Sequence, residues 1–249
     1  MALKTVEYGT DNSEVVFLLH GGGLSWWNYK DVAELLVDRF HIVIPILDGH
    51  SGSDRPFTTI EDNAREIISY IDERFGGSVL LIGGLSLGGQ ILVDVLSQRN
   101  NICEFAIVES ANVLPMKLTA ALVKPVYSMF YPLVAKRWFA RMQFRYLRIK
   151  EAYFESYYAD SSGISEDDMT AFLTANSNYA LKGTFADCKA KVLVLTGGKE
   201  LYNIKKSSKK ITECLNTSGM IVLKGLRHGE FSINYPEQYI ELLLQLTGR

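Results

Sequence analysis

A chain of 249 residues with 47% apolar and 22% charged residues has the composition of an ordinary globular protein, and this sets aside the disordered and collagen-like classes. Lys and Arg total 26 against 28 for Asp and Glu, a formal charge of -2, so no overall field gathers nucleic acid or acidic polymers. Cys103, Cys188 and Cys214 are odd in number and lack any CxxC pair, which suggests neither a disulfide framework nor a zinc cluster.

In chain order, residues 1–7 hold no long apolar stretch. The most hydrophobic segment, 78–96, is broken by glycines, Gln90 and Asp94, so an unanchored cytoplasmic protein with no membrane span is expected. Residues 4–8 supply a possible outer strand. The runs at 15–19, 42–47, 79–82 and 192–195 are short, apolar and bounded by small or polar residues, as buried strands are. Weaker β-branched runs at 105–108 and 220–223 bring the expected total to about seven. Helical patterns lie between them, at 28–37, 59–75, from Leu87 onward, at 205–215 and at 236–246. In the second of these Ile60, Ala64, Ile67, Ile68, Ile71 and Phe75 recur at spacings of three and four. Strands alternating with helices imply a mostly parallel sheet covered on both faces.

The alternation fails between residues 112 and 186, which predicts a helical lid inserted into a core formed by residues 1–111 and 187–249. Eleven of the chain's 28 aromatic residues fall between Tyr127 and Tyr158, too many for a solvated linker.

The strand ending at Gly83 runs into Gly84-Leu85-Ser86-Leu87-Gly88-Gly89, and helical periodicity starts at once. A nucleophile on a tight strand-to-helix turn needs small neighbours where the backbone is cramped, and a helix N-terminus favours negative charge beside it. Ser86 is therefore the candidate nucleophile. The first strong strand ends at His20-Gly21-Gly22-Gly23, placing bare amides at the carboxyl edge of the sheet. The amides of Gly22 and Leu87 are the candidate oxyanion donors, each such donor being worth about 2.7–4 kcal/mol in a transition state.

Of the four histidines, His20 and His41 sit in structural positions, and His50 lies in a loop near the site but ahead of Ser86. His228 follows the last strand and precedes the last helix, from where it can reach Ser86 as a general base. For the acid, Glu200 stands just past the glycine turn that ends the strand at 192–195, and Glu109, at the end of the strand at 105–108, is its competitor.

Together, His20-Gly21-Gly22, Asp48 with Gly49-His50-Ser51-Gly52-Ser53, the Ser86 motif, Gly197-Gly198-Lys199-Glu200 and His228-Gly229 resemble the α/β-hydrolase superfamily in order and spacing. The resemblance spans residues 1–111 and 187–249. It implies an α/β fold with a mostly parallel sheet of about eight strands, a helical cap inserted after the sixth, and hydrolysis at a carbonyl with neither metal nor organic cofactor. The small capped esterase-like members of the group are the most similar.

The expected function is cleavage of a small carboxylic ester or thioester with an apolar acyl part, through a Ser-His-Glu triad and an acyl-enzyme. The alternatives are a carbon–carbon bond hydrolase, a lyase or an acyltransferase on the same scaffold, or a non-catalytic binder. The sequence leaves the oligomeric state open. Arg137, Arg141, Arg145 and Arg148 form one stripe on a helix, expected to be solvated, with contact to an anionic substrate group or acidic surface as the sharper alternative. Lys205, Lys206, Lys209 and Lys210 suggest a solvated helix face.

Overall fold

The computed structural model describes residues 3–249. Among them, seven strands form one sheet: β1 (Thr5–Tyr8), β2 (Val15–Leu19), β3 (His41–Pro45), β4 (Val79–Leu85), β5 (Cys103–Glu109), β6 (Lys191–Gly197) and β7 (Ser218–Leu223), in the order β1-β3-β2-β4-β5-β6-β7. Only β1 runs antiparallel, against β3. The about-seven count from periodicity is met, and the eight strands implied by resemblance are corrected to seven. The insertion accordingly follows the fifth strand, not the sixth.

Alternation along each central strand sends side chains to two opposite cores, which is why both faces need helices. Phe17 and Leu19 of β2 and Val43 of β3 point to a face covered by α2 (Ile60–Phe75), α3 (Leu87–Gln98) and α8 (Tyr202–Glu213). Val16 and Leu18, with Ile42 and Ile44, point to the face covered by α1 (Lys30–Leu36) and α10 (Pro236–Thr247). The helix expected from Thr59 begins with Thr59 as its cap, the side chain accepting from the Asp62 amide at 3.0 Å, and ends on Gly76 at φ 68°.

After β2 the chain crosses to β3 on one side, and after β4 it crosses to β5 on the other. The crevice at the carboxyl ends of β2 and β4 is therefore the topological switch point, where ligands bind in open α/β sheets.

Between β5 and β6 lie α4 (Lys117–Val134), α5 (Arg137–Leu147), α6 (Phe154–Gly163) and α7 (Glu166–Asn178). This segment straddles the sheet. Ala140, Phe144, Tyr153, Phe154 and Tyr157 join the core on the α1/α10 side, while Ile164, Met169 and Phe172 join the core on the other. Polar ties hold it down: Gln90 Nε2 donates to the Asn112 and Asn176 carbonyls at 2.6 and 2.9 Å, Asn176 Nδ2 donates back to Gln90 Oε1 at 2.8 Å, and Trp27 Nε1 donates to Asp160 at 2.8 Å. Among the described residues no single helix is long and apolar enough to cross a membrane.

Candidate active site

Ser86 occupies the one-residue corner between β4 and α3 at φ 53° and ψ -110°, a region that side-chain-bearing residues seldom adopt. The corner is held by its neighbours. The Ser86 amide donates to the Glu109 carbonyl at 2.8 Å, and its carbonyl accepts from the Gln90 amide at 2.9 Å. A Cβ on Gly84 would stand 2.4 Å from the Gly88 carbonyl oxygen, and one on Gly88 would stand 2.1 Å from that of Leu19. The glycines flanking the serine are thus demanded by backbone contact between β4, α3 and β2.

The loops after β6 and β7 are bonded to each other. Gly198 N donates to the Leu223 carbonyl at 2.8 Å and Lys199 N to that of Leu226 at 2.8 Å, which fixes Glu200 relative to His228. His228 Nδ1 lies 3.1 Å from both Glu200 oxygens, and His228 Nε2 lies 2.9 Å from Ser86 Oγ. A carboxylate only accepts, so the ring proton sits on Nδ1 and Nε2 faces the hydroxyl with its lone pair. The Glu200 side chain is 1% exposed and that of His228 41%, which leaves the ring reachable from outside.

Among the described residues no hydrogen bond joins Glu109 to the imidazole. Its carboxyl is buried beneath the site, with one oxygen accepting the Ser232 amide at 3.4 Å and the other without a hydrogen-bond partner among the described residues. Burial pushes it up to about 7, against the smaller opposing pull of Ser232 and the His228 charge. Of the two acids the sequence offers, the geometry joins Glu200 to the histidine.

Two buried histidines shape the glycine loop after β2. Gly23 N donates to His50 Nε2 at 3.0 Å, so the His50 proton is on Nδ1, which donates to the Asp48 carbonyl at 3.0 Å. Leu47 N likewise donates to His20 Nε2 at 3.2 Å, and His20 Nδ1 donates to the Gly21 carbonyl at 3.0 Å. Burial keeps both rings neutral, lowering His20 to about 3 and His50 to about 4. The Gly21 amide is taken by Asn28 Oδ1 at 3.1 Å. That leaves the Gly22 amide unpaired among the described residues, beside Leu87, whose amide opens α3 without an intrahelical partner. The sequence marks His50 only as lying near the site. Its grip on Gly23, 27 residues away, leaves no sequence signal.

Apolar surface surrounds the serine. Leu24, Leu85, Leu147, Ile149 and Ile233 line a small pocket with Ser86 and His228. A second cleft reaches from Ser86 past Asn112 and Asn176 to Leu201, with Lys199 and Arg227 also lining it. Beneath the insert, Tyr127, Met142, Tyr146, Tyr157, Met169 and Phe172 border a solvent-open cavity of about 500 Å³ that begins at Gly22, within the size range of small-molecule sites. The aromatics of the insert serve both uses: Phe144 and Phe154 pack edge to face at 5.3 Å, while Tyr127 and Tyr146 face the space. The arginine stripe borders none of these clefts. Arg137 pairs with Glu155, Arg141 with Glu151 and, at 3.6 Å, Arg148 with Glu230, so contact with an anionic substrate group has no support here.

A mostly parallel sheet carrying a glycine-flanked serine corner at its switch point defines the α/β-hydrolase fold. A family model described as the alpha/beta hydrolase family matches residues 15–240, and the chain belongs to that family. No curated protein matches it. Solved structures share its architecture. An esterase from Thermogutta terrifontis aligns with a TM-score of 0.80 at 17% identity over 98% of this chain and 94% of that one. A hydrolase from Pseudomonas aeruginosa gives 0.82 at 14% over 99% and 94%, and the enol-lactonase from Burkholderia xenovorans 0.79 at 14% over 99% and 96%. At such identities the likeness is one of fold.

Proposed function

We propose that the protein is a serine hydrolase of small carboxylic esters or thioesters, with Ser86 as nucleophile, His228 as general base, Glu200 as the orienting acid and residues 112–186 as a cap over the site. One observation carries the reading: His228 Nε2 stands 2.9 Å from Ser86 Oγ while Nδ1 is shared between the Glu200 oxygens. His228 takes the hydroxyl proton as Oγ bonds to the carbonyl carbon, and the Gly22 and Leu87 amides receive the oxyanion. The tetrahedral intermediate collapses by expelling the leaving group, which accepts the proton from Nε2. Water, deprotonated by the same nitrogen, then attacks the acyl-enzyme, and Ser86 leaves with its proton restored.

The apolar pocket of Leu24, Leu147, Ile149 and Ile233 favours an apolar acyl part. The esterase and the enol-lactonase among the fold relatives accord with acyl transfer to water, a lactone being an ester closed on itself.

The test is Ser86→Ala assayed on a series of chromogenic esters and thioesters, alongside labelling by a fluorophosphonate. Wild type is expected to turn over and to be labelled on Ser86. The variant loses at least about a thousandfold in kcat with unchanged unfolding. Full activity in Ser86→Ala would refute the assignment.

A further inference from the structure

The insert exposes an apolar face that nothing among the described residues covers. Leu118, Leu122, Val126, Met129 and Phe130 recur at helical spacing along one side of α4, with Leu118 77% and Met129 66% exposed. On α5, which turns through 117° from α4, Trp138, Met142 and Tyr146, four apart, are also exposed, Trp138 by 62%, with Met142 and Tyr146 at the edge of the space beneath the insert. Monomeric surfaces scatter such residues singly. Eight on two consecutive helices make a patch of the kind that meets a partner.

The charge around the patch names the partner's chemistry. Residues 110–150 hold eight Lys and Arg and no Asp or Glu, in a chain whose formal charge is -2. Arg137, Arg141, Arg148 and Lys150 are paired with Glu155, Glu151, Glu230 and Asp31. Lys117, Lys124, Lys136 and Arg145 are exposed and have no acidic partner among the described residues. Lys117 and Lys124, seven apart, share one flank of α4 beside its apolar face. Apolar and aromatic side chains bordered by free cations fit the boundary of an anionic lipid bilayer, whose negative surface attracts the rim and whose acyl region accepts the face. A second copy of this chain fits less well, because a two-fold contact would set one cationic rim against its twin.

The patch is continuous with the mouth of the site. Tyr146 belongs to the exposed face and lines the cleft at Ser86, and Leu201, 75% exposed, lines the same cleft from the opposite loop. We propose that the α4–α5 surface docks the protein peripherally on anionic membranes, with the mouth of the Ser86 cleft turned toward the bilayer. The docking surface stands independently of the chemistry at Ser86.

The experiment is flotation with phosphatidylcholine vesicles, with and without phosphatidylserine, for wild type, Met129→Glu/Trp138→Glu, Lys117→Glu/Lys124→Glu and Ser86→Ala. Wild type and Ser86→Ala are expected to float with the phosphatidylserine vesicles and to bind pure phosphatidylcholine about tenfold more weakly. Both double variants lose about tenfold in binding while keeping the wild-type unfolding midpoint and the turnover of a soluble short-chain ester. Wild type remaining in the aqueous fraction with both vesicles overturns the proposal. A dimer in light scattering that dissociates in Met129→Glu/Trp138→Glu, without any flotation of wild type, overturns it in favour of a contact between copies.

Discussion

Replacing Glu109 by glutamine separates the two acids and has a calculable signature. A carboxyl raised from 4.5 to about 7 by burial favours its neutral form in the folded protein by about 3 kcal/mol, at about 1.4 kcal/mol for each tenfold change in the proton equilibrium. Below about 4.5 the folded and unfolded chains are both protonated there, and the stability is fully present. As pH rises, the unfolded chain gives up its proton while the folded chain keeps it, so stability falls until the folded carboxyl also ionises near 7. Glutamine copies the neutral form at every pH. The unfolding free energy of Glu109→Gln minus that of wild type should therefore climb by about 3 kcal/mol between about pH 4.5 and about 7 and then level off. Urea denaturation of both proteins across this range measures it, and taking the difference cancels other titrating groups. A flat difference would refute the reasoning and place the Glu109 carboxyl in a solvated or paired environment.

Two further outcomes follow from the same geometry. Glu200→Gln should lower kcat by up to about ten-thousandfold, since an amide no longer fixes the His228 tautomer, while Glu109→Gln lowers it far less; steady-state kinetics of the two variants decide. His50, lowered from 6.5 to about 4, contributes stability that is present above about 6.5 and lost as pH falls, because the unfolded ring takes up a proton first. The stability of wild type over His50→Gln should shrink by about 1.4 kcal/mol per pH unit between about 6.5 and about 4, read from urea unfolding.

What the sequence revealed was what local pattern controls. Ser86 could be found because its glycines are forced by backbone crowding, and α2 because Thr59 caps an apolar stripe. Residues whose roles depend on long-range burial were harder to read. Glu109 and Glu200 end or follow adjacent parallel strands in similar sequence settings and are both buried; the histidine ring beside Glu200 separates them. The arginine stripe was legible for Arg137, Arg141 and Arg145, whereas Arg148 falls past the end of α5 as its left-handed cap, and Glu151 and Glu155, which pair with two of the four, lie on a later turn and helix. The insert was visible as an interruption of the strand–helix rhythm, yet α4 runs through Pro125 and Pro132, which locally read as breakers. Its apolar periodicity does not say that this face points outward, since buried and exposed stripes share one spacing.

The crowding behind Ser86 has a consequence for how this protein tolerates change. Three stretches of main chain touch there with no room for even one added carbon, so the rear wall of the site admits glycine and nothing larger. In front of the serine, apart from the main chain of Gly21–Gly23 and Gly229, the boundary is drawn by side chains, many of them from the segment between β5 and β6. Selectivity can therefore be redrawn from the front, while the rear stays frozen at the level of the backbone.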